Sequence, residues 1–587
     1  MPTSPLVNSD GPVSATVTLD GTALPDSYEL MSVRVDKQIG EIPRAAVVIR
    51  VSNLDLGTTP ELGGETIKLG ATVSIGAAYG DGDAQTLFDG AIMALRFESS
   101  VSGQLLLELT CRDTTKKLLE MRRSETYAES KDSQVMAKII GDAGLQADVT
   151  ATEDAARSHL RHAVSDWDFL TMLADRNGYV LIADAGKVTA AAPDTAGEPA
   201  IGVTYGVDII DFEVAIDGQK TIGSAQIGAW DAQNQAAVSG SHSELPAMTL
   251  GSTTSAAIAE VLGTLGWNAS TAGEIAEADL TRHAKARVTR SLLASVQGRC
   301  RFQGTAAIKP GGMLAIGGLG GLFSNTAYVS AVRQDIRAGN WLTEATLGLP
   351  DDWATGRRNA PVVTGETTAP LLGLQIGKVM AITEDPAGQQ RIKVSLPMIA
   401  DPPAEIWARY AQPYATNTAG IQFMPEVDDE VLVGFLSADP NAPVVLGSLH
   451  SAALPQALAP TEENKIKGIV TRNDLRVLFD DDQKIITVTT PGGHKIRMDD
   501  AAKEVEMVDL NGNSILFGDS GVTLKSIKDI TITATGKIDI KATQDATFKG
   551  SNVTCEGDMG FTGKGGAQAE LSAGGQTTVK GAMVMIN

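Results

Sequence analysis

Four short patterns in this chain have residue types that do chemistry elsewhere. Gly518-Asp519-Ser520-Gly521 copies the string around a nucleophilic serine, which needs a histidine base beside it. No histidine partner is evident. The string also falls at the seam of a repeat, in line with the turns after Phe479 and Met498, so it reads as a turn. His159, His162 and Asp166 pair imidazoles with a carboxylate, as zinc ligands do, but no fourth ligand or Cys/His cluster is near, and a solvated loop is the simpler reading. Asp480-Asp481-Asp482 and Asp499-Asp500 set carboxylates side by side, as a glycosidase does, yet they recur 19 residues apart and read as turn formers. Asp81-Gly82-Asp83 is a hairpin turn that lacks the glutamate of a calcium loop. Cys111, Cys300 and Cys555 are far apart, odd in number and without metal spacing, which argues against a disulfide framework and for a reducing place of synthesis. The sequence therefore assigns no catalytic residue, no metal and no cofactor.

What it does assign is a repeat. Gly521 to Asn552 reads as four eight-residue units, GVTLKSIK, DITITATG, KIDIKATQ and DATFKGSN. Val522, Leu524, Ile530, Ile532, Ile538, Ile540 and Phe548 occupy alternate positions, followed in each unit by Ser526, Ala534, Ala542 or Gly550. That is a strand with one apolar face and one wet face of Lys, Asp and Thr. Four octads make little more than one coil of a single-chain solenoid, too few to be stable alone. Three identical chains wound together bury the face, at roughly 1.5–3 kcal/mol per side chain before entropy is subtracted. The expectation is an obligate homotrimer whose spike core is those seven residues. The rival reading of the repeat is a flat edge of an ordinary sheet. At Val553 and Cys555 the phase slips by one, so the regular needle is expected to end near Asn552, with 553–587 packed differently as a tip.

Length and composition bound the rest. A chain of 587 residues has room for three or four domains. Aromatics at 4% and 61 glycines favour short strands and tight turns. A net charge of −23 argues against nucleic-acid binding through general electrostatics. Neither a charged-then-apolar leader nor a long apolar run is present, so a chain made soluble without a signal peptide is expected.

In order along the chain, strand-like segments fill residues 1 to about 120, a helix starts at Asp132, and a second covers Ser165 to Tyr179 with Ser165 or Asp166 as cap. Another helix is expected near Glu274–Leu293. The Pro-, Gly- and Thr-rich stretch 351–372 reads as a boundary. Five or six short strands follow in about 80 residues, the content of a small closed barrel. After the linker 451–463 a 19-residue repeat aligns Phe479, Met498 and Phe517, and also Gly493 and Gly512.

This order of parts resembles the VgrG-like (Rhs element Vgr family) spike proteins of contractile injection systems, which look like a phage tail hub fused to a tail spike. The resemblance is carried by Trp407-Ala408-Arg409 and by FMPEVDDEVLVGFLSADPNAPVVLGSL from Phe423 to Leu449. The motif positions are Trp407, Arg409, Pro425, Glu426, Glu430, Gly434, Asp439, Pro440 and Gly447. Asp428 stands where the family favours glycine, and Arg333-Gln334 stands where it often has histidine. TLFDGAI, LTCRDTTKKL and SDWDFLTMLADRNGY match the hub more weakly.

The resemblance implies a β-rich multidomain fold: an α+β hub (1–370), an OB-fold collar (371–450), the linker, a triple-stranded intertwined β-helix (464–552) and a tip (553–587). It implies a trimer that adapts a six-fold tube to a three-fold needle and punctures a target envelope. Implied partners are inner tube and baseplate proteins, effector cargo, transient contact with the target membrane, and a PAAR-like tip protein docked on Val584, Met585, Ile586 and Asn587. Nucleic acid is not among them, and no enzyme activity is expected. The particle is expected to be phage-tail-like and released extracellularly, with type VI secretion and a true phage as alternatives. The rival functions are a trimeric β-rod adhesin or receptor-binding tail protein, and a spike with an unrecognised hydrolase activity.

Overall fold

A computed structural model describes the chain except for residues 1, 8, 26, 52–66, 100–104, 220, 232–235, 247–248, 251–252, 256, 258–259, 261–264, 272–274, 354–369, 400–401 and 587. The chain divides into two compact units, Met1–Pro455 and Gln456–Asn587.

The first unit is organised by a 13-stranded sheet. Its N-terminal strands, among them Glu29–Gln38, Arg44–Arg50 and Leu105–Arg112, alternate buried and exposed residues, as half-buried strands must. Its later strands include Val296–Gln303, Asn325–Arg337 and Asn340–Leu347. The halves join where Asn325–Arg337 pairs antiparallel with Glu29–Gln38, Val332 opposite Lys37. Each half has its own core: one around Val47, Ile75, Phe88 and Leu109, the other around Phe302, Leu314, Val329 and Ala345.

Helices pack beside this sheet. α1 (Asp132–Asp142) buries Val135, Met136, Ile139 and Ile140. α2 (Asp166–Arg176) starts at Ser165, whose hydroxyl accepts from the Asp168 amide, and buries Trp167, Leu170 and Leu173 against α1. α3 runs from Glu277 to Leu293. The chain then closes a five-stranded barrel from β1 (Gln375–Ala381), β2 (Ile392–Leu396), β3 (Ala404–Tyr410), β4 (Glu430–Phe435) and β5 (Pro443–Ser448). Val379, Ile392, Val394, Ala408, Val431, Val433 and Val445 fill it without exposure.

The second unit opens with an antiparallel meander of five-residue strands. These are β6 (Ile466–Val470), β7 (Arg476–Asp480), β8 (Ile485–Thr489), β9 (Lys495–Asp499), β10 (Glu504–Val508), β11 (Ser514–Gly518) and β12 (Gly521–Lys525). The 19-residue repeat is thus a two-strand hairpin. Its equivalent turns place Gly493 at φ 99° and Gly512 at φ 86°, a backbone region where other residues pay a steric cost. After Lys525 the described residues form no strand and no strand pairing. The chain bends at 527–528, 535–536, 543–544, 551, 558–559, 566–567, 574–575 and 582–583. Past Asn552 the interval between bends shortens by one residue and then returns to eight. A small residue precedes each of these bends: Ser526, Ala534, Ala542, Gly550, Gly557, Gly565, Ala573 and Gly581.

Candidate functional site

The residue pairing of the meander sorts its side chains. One face carries Lys467 and Ile469, Val477 and Phe479, Ile486 and Val488, Ile496 and Met498, Val505 and Met507, Ile515 and Phe517, and Val522 and Leu524. All but Lys467 are apolar. The opposite face carries charge, with Lys495 paired to Glu506 at 2.8 Å and Arg497 paired to Asp499. Nothing covers the apolar face: Phe479 is 40%, Met498 46% and Phe517 46% exposed.

The seven octad residues continue this state, from 52% exposure at Ile530 and Ile538 to 70% at Phe548. Among the described residues of the second unit no hydrophobic side chain is buried; the last one in the chain is Val445. Val584, Met585 and Ile586 are exposed too, and Asn587 lies outside the described residues. Counting octads finds the stripe after Gly521 but misses Ile486, Val488, Val505 and Met507, on the return strands of each hairpin. Their signal was plain alternation in IITVT and EVEMV.

The barrel motif is spread over one end of the barrel and its flank. Asp439, fully buried, accepts from Thr271 Oγ1 at 3.0 Å and from the amide of Asn441 at 2.9 Å, tying barrel to hub. Pro425 is buried, Glu426 donates its amide to Asp429, and Glu430, Gly434 and Gly447 lie in β4 and β5. At Gly434 an added Cβ would come within 3.2 Å of Leu374. Asp428 sits at φ 76°, which explains the family's glycine there, and Lys378 reaches its carboxylate at 2.9 Å. Trp407, Arg409 and Pro440 line an open groove of about 590 Å³ between barrel and hub, with Leu160 and Arg157 on the hub side.

The histidine pair is not on a solvated loop. His159 and His162 lie on the strand Arg157–Ser165. His159 is buried, donates Nε2–H to Ser130 O at 2.8 Å and accepts at Nδ1 from Arg176 at 3.1 Å. His162 Nδ1 meets Ser124 Oγ at 3.1 Å, and Asp166 holds Arg161 at 2.5 Å and Arg123 at 2.7 Å. Burial and the neighbouring Arg176 push His159 down to about 4. His283, fully buried between Trp267 and Trp353, is also pushed down to about 4 by burial, with nearby arginines adding to it. Both imidazoles are neutral at pH 7. Asp132, 3.7 Å from His159, is bound by Arg176, Arg157 and Asn177, and the two arginines hold its carboxyl well below the ordinary range although burial alone would raise it. Arg333 joins a surface ladder, 2.6 Å from Asp36 and 3.7 Å from Glu344.

Asp519 and Ser520 form the two-residue turn between β11 and β12. Asp480 caps its own turn by accepting from the amides of Asp482 and Gln483. Burial pushes the Cys111 and Cys300 thiols up to about 12, which leaves them inert as nucleophiles. Among the described residues no group of three His, Cys, Asp or Glu side chains is placed to hold a metal ion, and no helix is long and apolar enough to cross a membrane.

Residues 9–338, more than half of the chain, match the family model described as the Alg8 N-terminal domain. Residues 375–450 match the type VI secretion system/phage-baseplate injector OB domain. The chain belongs to the Alg8 N-terminal domain family. Similar solved structures include a chain of the Francisella PdpA-VgrG complex in its half-lidded form, at 8% identity and TM-score 0.51 over 88% of each chain. The lidless PdpA-VgrG complex gives 8% identity and TM-score 0.51, over 88% of this chain and 98% of that one. The E. coli c3393 protein, described as a type VI secretion component similar to phage T4 tail proteins gp27 and gp5, gives 14% identity and TM-score 0.46, over 74% of this chain and 99% of that one. The two PdpA-VgrG likenesses show that this chain shares their fold.

Proposed function

We propose that this VgrG-like chain is the trimeric central spike and hub of a contractile, phage-tail-like injection machine. One observation carries the reading: a unit of more than 100 residues with no buried hydrophobic side chain, one apolar face on its meander and the same stripe in its octads. Such a unit cannot pay the entropy of ordering from its own contacts. Two further copies supply both missing halves, apolar cover for the stripe and backbone partners for the segments after Lys525. The C-terminal unit would then be an intertwined triple-stranded β-helix, stiff because its strands leave almost no lateral edge.

The hub supports the adaptor role. The 13-stranded sheet of each chain has one core in each half, so three chains would present six such blocks to a six-fold tube. The barrel would be the collar, with 1–370, 371–450, 451–463, 464–552 and 553–587 as hub, collar, linker, needle and tip-bearing end. Exposed Val584, Met585 and Ile586, tripled, would seat a PAAR-like tip protein. The role is mechanical: to focus the force of sheath contraction on a narrow end, with no catalytic step. Assembly into a particle that leaves the producing cell, with tube, baseplate and effector partners, accompanies it. Light scattering after size exclusion tests the centre of the proposal. The expected mass is three times 61.2 kDa; a stable species at 61.2 kDa overturns it.

A further inference from the structure

The groove beside Trp407 and an arm that leaves the same barrel are complementary, and neither is satisfied within one copy. The arm is residues 411–423. It holds only two short paired strands, Ala415–Thr416 and Ala419–Gly420, and Ile421 donates its amide to Tyr414 O. A two-stranded hairpin is marginal in water without a surface to pack on. Yet this one exposes Tyr414 by 56%, Ile421 by 44% and Phe423 by 55%, and it contains no charged residue. Large aromatic side chains held out on a neutral projection are anchors without a pocket.

The groove is a pocket without an anchor. Its 590 Å³ lies in the range of clefts that bury most of a small ligand, and the arm's side chains do not line it. Leu160, Ile406 and Pro443 give it apolar walls. Arg409, exposed in it, has no ion pair among the described residues, and a guanidinium beside Trp407 suits the face of an incoming ring. It also has an open strand edge. β3 pairs with β2 along Ala404–Ala408, but on its other side only Arg409 and Tyr410 pair with β5. Alternate backbone groups of an antiparallel strand point away from its partner, so those of Ala404–Ala408 that face away from β2 have no ladder on that side.

We propose that the arm of one copy seats Tyr414 and Phe423 in the hub–barrel groove of the next copy around the ring. The contact joins two different surfaces, so it is head-to-tail, and three such contacts close under three-fold symmetry. It rests on the trimeric reading, and it locks the collar independently of the C-terminal unit.

The test uses the full chain with a photo-reactive phenylalanine analogue at position 414 or 423, in mixed isotopically light and heavy copies. The expected products are light-to-heavy cross-links from the arm to residues 155–160, 405–409 or 440–443. Ala155→Trp, at an exposed groove position, is expected to cut their yield at least tenfold while the trimer mass is unchanged. A trimer whose arm cross-links elsewhere or not at all, or whose groove cross-links survive Ala155→Trp, overturns the arm contact alone. A monomer by light scattering overturns the trimer and the contact with it.

Discussion

The octad stripe allows one perturbation to be worked through. In a single chain Ile532 is 67% and Ile540 66% exposed, so about two thirds of each side chain is left for other copies to cover. Full burial of such a side chain is worth about 1.5–3 kcal/mol, which leaves about 1–2 kcal/mol per residue per copy for assembly. Ile532→Asp with Ile540→Asp removes that contribution and sets three carboxylates around the axis at each level. At an effective dielectric near 20, like charges about 4–8 Å apart repel by about 2–4 kcal/mol per pair, before desolvation is counted. Each level therefore costs the trimer on the order of 10 kcal/mol, more than a stable assembly has in reserve. Light scattering at micromolar protein is expected to show the double variant at 61.2 kDa or in nonspecific aggregates. The control places the same charge on the other face, Thr531→Asp with Thr533→Asp, and is expected to leave the trimer intact. A normal trimer from the Ile variant, or equal loss from the control, refutes the assignment of the inward face.

Other consequences are quicker to check. Replacing Asp428 with Ile, a β-branched residue at φ 76°, is expected to lower the stability of the first unit by about 1–3 kcal/mol, while Asp428→Gly stays within about 1 kcal/mol of the parent in thermal unfolding. Thr271→Val strips buried Asp439 of a hydroxyl donor and is expected to cost about 1–3 kcal/mol in the same assay. His159 and His283 have folded values near 4 against about 6.5 unfolded, so the unfolded chain binds their protons first. Stability of the first unit is therefore expected to fall as pH drops from about 6.5 toward 4, and His283→Gln should flatten that slope in denaturant titrations.

How much of this was legible depends on how local each cause is. Val135, Ile139 and Ile140 mark α1 by spacing alone, and Ser165 marks the start of α2, because helix faces and caps are written within a few residues. Phe479, Met498 and Phe517 announced a repeat, but tracking one strand of each hairpin hid the return strands, and only the pairing shows that Ile486 and Val505 share their face. The burial of His159 was not legible, since it depends on Arg176 in α2 and on Ser130, 17 and 29 residues away. The groove was invisible for the same reason: its walls come from residues 126–160, from Ala276 and Asp279, and from residues 386–443. Asp428 was legible as an oddity, and its positive φ gives the oddity a cause.

The absence of a core in the C-terminal unit has a kinetic meaning. A segment that gains its stability only from other copies orders at a rate set by how often three of them meet, which at cellular dilution is slow and invites aggregation of exposed strands. The first unit of each chain has its own cores. In the proposed trimer the tails would be held at the millimolar effective concentrations of tethered segments, and a third-order encounter would become an intramolecular zipping. The hub would then be the chaperone of its own needle.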